Sequence, residues 1–157
     1  MEIELLPHAG VASFRLGMSF DEAMAVARQW DGVTPSPAEE RPPGKFIVRN
    51  EELTFRLILN FREDEYLNSI VVRRFKDEDA DVHVLLEGLD VFRTQPEELQ
   101  EQLEQRGHTV EENDLGYDTV PDLNIIFSNE SSYEYPVDEE GDPLYYDSVL
   151  IADRITY

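Results

Sequence analysis

Carboxylates are the side chains in this sequence with the most chemistry to offer. Asp118 and Asp122 flank Val120-Pro121, and two carboxyl groups can divide acid and base work if they are folded across a cleft at a set separation. Asp138, Glu140 and Asp142 alternate, with Gly141 between the last two. That spacing loosely matches a calcium loop but lacks its length and its terminal bidentate glutamate. The expectation there is weak surface contact with divalent ions rather than a built metal site. The histidines are His8, His83 and His108, and no two stand at a metal-ligand spacing. His8 and His108 fall beside element ends and are expected to face solvent. His83 lies in an apolar run and reads as a packed or edge residue. None of the eight serines sits in a Gly-x-Ser-x-Gly elbow. Gly10 to Gly17 has neither the spacing nor the lysine of a phosphate-cradling loop. There is no cysteine, which removes disulfides, thiolate catalysis and sulfur-ligated metals. No catalytic residue, metal ligand set or cofactor is expected.

Charge narrows the partners. The chain has 157 residues, 35 acidic and 13 basic, for a net charge of −22. Binding to a nucleic-acid backbone runs on lysine and arginine, and so does docking on an anionic membrane; neither is expected. The imbalance is uneven. Residues 1–75 hold 12 acidic and 9 basic residues, a net of −3, and residues 76–157 hold 23 and 4, a net of −19. The densest runs are Asp77-Glu78-Asp79 with Asp81, Glu111-Glu112 with Asp114, and Asp138-Glu139-Glu140 with Asp142. Each falls where a loop is expected. Solvated turns explain such runs, and so does a single acidic surface that steers a basic partner.

The elements that would position these loops follow from periodicity. A strand is expected at Glu2–Leu6. Ser19-Phe20-Asp21-Glu22 has the capping-box pattern, and the helix after it buries Ala23, Met24, Val26, Ala27 and Trp30 on one stripe before Gly32 stops it. Four prolines between Thr34 and Gly44 mark a loop. Strands are expected at Phe46–Val48, Leu53–Phe61 and Leu67–Phe75, with Phe55, Leu57 and Leu59 on one face. The same order then recurs. Val82–Leu86 reads as a strand or a first short helix. Thr94-Gln95-Pro96-Glu97 reads as a second capping box, and its helix uses Leu99 and Leu103 and stops at Gly107. Strands follow at Thr109-Val110, Leu123–Phe127 and Leu144–Ile151, the last two separated by a polar loop that the Tyr133–Val137 segment interrupts.

The expected fold class is α+β, with helices packed on antiparallel sheet, in one compact domain over 1–157. The recurrence points to an internal duplication of helix plus hairpin over 8–75 and 82–154. Ser19, Glu22 and Gly32 each stand 75 residues before Thr94, Glu97 and Gly107, and Phe14-Arg15 matches Phe92-Arg93. Five of the seven tyrosines follow position 130. Tyrosine tolerates half-burial and is common at interfaces. The candidate binding residues are therefore Asp114, Tyr117, Asp118, Tyr133, Tyr135, Asp138, Glu139, Glu140, Asp142, Tyr145 and Tyr146. The plainer reading of the tyrosines is strand side chains with wet hydroxyls.

The stretch from Phe14 to Ala23, with Leu16-Gly17-Met18-Ser19 and Glu22 leading into the helix, resembles the opening of the outer-membrane-assembly lipoprotein and beta-lactamase-inhibitor-protein-like group. The resemblance implies helices on an antiparallel sheet, sometimes in tandem copies, and for the inhibitor a concave sheet face presented to a target protein. This sequence differs from the secreted members: it has no lipobox or disulfide cysteine, and Met1 to Gly10 has no signal-peptide pattern. A cytoplasmic location is expected. In overall character the chain is similar to immunity proteins of bacterial polymorphic-toxin systems, many of whose toxins are basic nucleases.

Three readings result. The first is a non-enzymatic protein-binding module, an immunity or inhibitor protein using an acidic surface against a basic partner. The second is a small hydrolase built on carboxylates such as Asp118 and Asp122. The third is an acidic background of the organism, which eleven arginines against two lysines would fit and the uneven charge split would not.

Overall fold

Alternating apolar residues set the two longest central strands. In Phe55–Phe61 every second side chain is buried, and Leu67–Arg73 adds the β-branched residues that suit a pleated, half-buried surface. The computed structural model describes residues 1–29, 33–35, 44–50, 53–63, 65–129 and 135–153. Trp30 and Gly32 lie outside the described residues.

In chain order the elements are β1 (Glu2–Leu6), β2 (Gly10–Val11), β3 (Phe14–Arg15), α1 (Phe20–Gln29), β4 (Val33–Pro35), β5 (Gly44–Asn50), β6 (Phe55–Phe61) and β7 (Leu67–Arg73). Then come β8 (His83–Leu86), β9 (Leu89–Asp90), α2 (Pro96–Gln105), β10 (Glu111–Glu112), β11 (Asp118–Val120), a 3-10 turn (Pro121–Leu123), β12 (Ile125–Ser128) and β13 (Ser148–Ala152). Of Val82–Leu86, residues His83–Leu86 thus resolve as strand. Among the described residues the fold is α+β: two helices packed against two mostly antiparallel sheets. The large sheet runs β10-β11-β12-β13-β7-β6-β5-β4, and the small one β3-β2-β1-β8-β9. The order of the large sheet mirrors about its centre. A helix and four strands lead to β7 on one side, a helix and four strands lead to β13 on the other, and these two last strands pair antiparallel.

One face of the large sheet is the core. Phe46, Val48, Phe55, Leu57, Leu59, Phe61, Ile70, Val72, Val149, Ile151, Ile125 and Phe127 are all buried. Helix α1 sits on it through Phe20, whose ring meets Phe46 and Phe61 edge-on at 5.9 and 5.3 Å. Burying one such ring contributes about 2 kcal/mol. The small sheet reaches the same core through β2, which contacts β7 and β13. Its backbone turn is tight at Gly10, where φ is +154° and a Cβ would lie 2.0 Å from the Phe14 carbonyl oxygen.

The two helix starts differ. At α1 the capping box forms: the Glu22 amide donates to Ser19 Oγ (3.2 Å) and the Ser19 amide to Glu22 Oε1 (3.3 Å). At α2 the expected Thr94 box does not form. Gln95 takes the N-cap position with no side-chain cap bond, and Pro96 is the first helical residue. A residue before proline is held out of the helical region, so Gln95, at φ −59° and ψ 144°, becomes the boundary. The α2 stop is as expected. Gly107 has φ +92°, its amide bonds the Glu104 carbonyl, and the His108 amide bonds that of Leu103, which is a Schellman cap.

Candidate functional site

Strand direction brings the three acidic runs together. β7, β13, β12, β11 and β10 are successive antiparallel neighbours. The C-terminal end of β7 therefore lies at the same edge as the β12–β13 connection and the β10–β11 turn. Residues 77–81, 138–142 and 113–114 leave the sheet at that one end. Asp77, Glu78, Asp79, Asp81, Glu111, Glu112, Asp114, Asp138, Glu139, Glu140 and Asp142 are all exposed. The loops are built turns. Asp138 Oδ1 accepts the amides of Glu140 and Asp142 (both 2.9 Å), and Asn113 Oδ1 accepts those of Leu115 and Tyr117 (both 3.0 Å). Asp77 Oδ1 accepts the Asp79 amide at 3.0 Å. Beside the β10–β11 turn, Glu111, Glu112, Asn113, Asp114, Thr119 and Pro121 line an open hollow of about 280 Å³.

Arg74 ties two of these loops to the sheet. Its side chain is fully buried, an unusual state for arginine unless it is paired. Nε donates to the Phe92 carbonyl (2.9 Å), and the guanidinium pairs with Glu78 through Nη1 and Nη2. The cation lies over the rings of Phe75 (4.4 Å), Tyr145 (5.1 Å) and Tyr135 (5.9 Å). Tyr135 also donates to the Arg74 carbonyl at 3.1 Å. Arg93 lies over Phe75 at 4.1 Å and donates to the carbonyls of Glu78, Ala80 and Val82. Tyr135 and Tyr145 are thus half-buried walls of an arginine site.

Tyr146 is 2% exposed and does not reach the surface. It stacks on Phe127 at 5.0 Å and donates to Asp118 Oδ2 at 2.6 Å. Gln100 of α2 donates to both that hydroxyl (2.8 Å) and Asp118 Oδ2 (3.2 Å). Burial, and then the bond to Asp118, push the Tyr146 hydroxyl well above its ordinary pKa. Asp118 therefore faces inward as part of the α2–sheet contact. Tyr117 is half-buried beside the other face of the sheet. Tyr133 lies outside the described residues.

The residues that the sequence did not single out as a group are those around His108. Its side chain is only 14% exposed, contrary to the expectation of a solvent-facing histidine. Nδ1 meets Asp122 Oδ2 at 2.6 Å, and Nε2 meets the Glu87 carboxylate at 3.1 Å. The bond to Asp122 raises its pKa above 6.5; burial opposes that shift, and Glu87 adds to it. Arg106 Nη1 stands 3.6 Å from Glu87. His8, although exposed, has Nε2 2.7 Å from the Asp122 carbonyl oxygen. The signal lay in the Schellman cap, which fixes His108 immediately after Gly107. Its partners come from the β8–β9 turn and the 3-10 turn, and only the tertiary fold brings those together. His83, half-exposed at the edge of β8, meets Asp90 at 2.9 Å. Asp118 and Asp122 consequently have separate partner sets. Among the described residues, no group of three or more His, Cys, Asp or Glu is arranged to hold a metal ion.

No family model, no curated protein and no solved structure matches the chain. Among the described residues, no helix is long and apolar enough to cross a membrane.

Proposed function

We propose that the chain is a non-enzymatic protein-binding module, an immunity or inhibitor protein whose acidic end docks on a basic protein partner in the cytoplasm. The observation that carries this reading is the register: two acidic runs leave one end of one sheet, a third lies on strand β10 and the turn that ends it there, and a buried arginine anchors the first two. A one-signed surface held on rigid turns raises the rate of encounter with a basic partner and sets its orientation. The mirrored arms of the large sheet support reading 1–157 as one domain made from a duplicated unit.

The test is titration of the full chain against a panel of basic nucleases at low and moderate salt. Retention that weakens with salt, and drops at least about tenfold when Glu139→Lys and Glu140→Lys are combined, supports the reading. No retention at either ionic strength, or retention untouched by the double variant, removes it.

A further inference from the structure

The face of the large sheet turned away from the core has a composition of its own. Register aligns Ile47, Ile58, Val71, Leu150 and Ile126 in one cross-strand row over β5, β6, β7, β13 and β12. All five are partly exposed. The adjacent row, two residues along each strand, is Arg49, Arg56, Arg73, Ser148 and Ser128. Strands stand about 4.8 Å apart, so three arginine stems fall within about 10 Å. Like charges directly opposite one another are destabilising. Yet among the described residues none of these three pairs with a carboxylate, in a chain that has 35 of them. Arg73 Nε is buried with no hydrogen-bond partner. It borders a hollow of about 150 Å³ that Tyr117, Ser128 and Ser148 line above Val71 and Ile126.

We infer that this face is a second docking surface, for a protein segment that presents carboxylates beside apolar side chains, on the outer face of the sheet beside the end from which the acidic loops leave. Charge complementarity selects the occupant. Guanidinium groups in a row match carboxylates bidentately, and the parallel apolar row is matched by aliphatic side chains. A nucleic acid would satisfy the arginines, but it would leave the aliphatic row unmatched. The inference goes beyond the acidic-end reading and does not depend on it.

The experiment is backbone NMR titration of the full chain with three probes: a short peptide alternating glutamate and leucine, its glutamine counterpart, and inorganic phosphate. The expected result is shifts at β5, β6, β7 and β13 with the glutamate peptide, at least about tenfold weaker with the glutamine peptide and with Arg56→Gln/Arg73→Gln. Ile58→Ser should weaken binding through the apolar row. Glu139→Lys/Glu140→Lys removes nearby negative charge and should not weaken this binding, which separates failure here from failure of the acidic-end reading. Equal binding of the two peptides overturns the proposal. So does phosphate occupying the same residues as strongly as the peptide, or sedimentation showing the face already buried between two copies of the chain.

Discussion

Arg73 and Arg74 are adjacent in the chain, and the pleat of β7 sends them to opposite faces of the large sheet. Arg74 enters the core side and meets a carbonyl, a carboxylate and three aromatic rings. Arg73 goes to the outer side, where its neighbours across the strands are Arg56 and Ser148 and its Nε is unpartnered. Burial of a charge is tolerated where its hydrogen bonds are complete. Where they are incomplete, in a row of like charges, the arrangement opposes folding; the proposed docking on the outer face would offset that cost. The acids divide in the same way. Asp118 is enclosed in structural contacts and Asp122, though exposed, is held by His108, and Glu139 and Glu140 stand free of the sheet on a built turn.

The largest expected effect is on the enclosed arginine. Arg74→Met keeps the apolar stem but leaves the Phe92 carbonyl without its donor and Glu78 without its partner. Chemical denaturation should show a loss of about 3 kcal/mol. A loss below about 0.5 kcal/mol would mean that the arginine is not the anchor of the acidic loops. Next is Tyr146→Phe, which keeps the stack on Phe127 and removes only the donor to Asp118. The expected cost is about 1–2 kcal/mol. Asp118→Ala/Tyr146→Phe should cost less than the sum of the two single changes, because the two groups share one bond.

These contrasts depend on contacts that the sequence shows only in part. β6 and β7 were legible because alternation and β-branched residues leave little choice, β13 only in part, since it begins at Ser148 and not at the expected Leu144, and Ser19 with Glu22 specified the first cap. Thr94 misled because Pro96 moves the boundary to the residue before it. The small sheet was not legible as a unit. β2, β3 and β9 are two residues each, too short to carry a period, and β1 pairs in parallel with β8 from the other half of the chain. Residues 77–81 and 138–142 could be read as loops, but Glu111-Glu112, also expected in a loop, is strand β10, and the meeting of the runs at one end is a consequence of strand direction. Arg49, Arg56 and Arg73 become a row only through the register of β5, β6 and β7.

His108 provides a smaller test on the enclosed side. Its folded pKa lies above 6.5 because Asp122 and Glu87 favour the charged ring. The stabilisation is therefore fully present below pH 6.5 and is lost as pH rises through the raised value. The difference in unfolding free energy between the wild type and His108→Asn should be about 1 kcal/mol at mildly acid pH and shrink toward alkaline pH. A difference that is flat across that range would show that the ring titrates alike in the folded and unfolded states, so that the two carboxylates do not favour its charged form.

The smallest effect on stability, and the one of opposite sign, belongs to the outer row. Arg73→Ser removes a charge that has no counter-charge among the described residues and faces Arg56 directly across the strands. It also removes the orphaned Nε. Truncating a paired arginine destabilises because its partners are left behind; here no partner is left behind, and the like-charge repulsion falls. Urea unfolding should therefore show a change within about 0.5 kcal/mol, on the stabilising side, and the gain should shrink with added salt as the row is screened. A loss of more than about 1 kcal/mol would mean that Arg73 contributes to the fold as Arg74 does. The contrast between the two faces would then fail at the residue where it is sharpest.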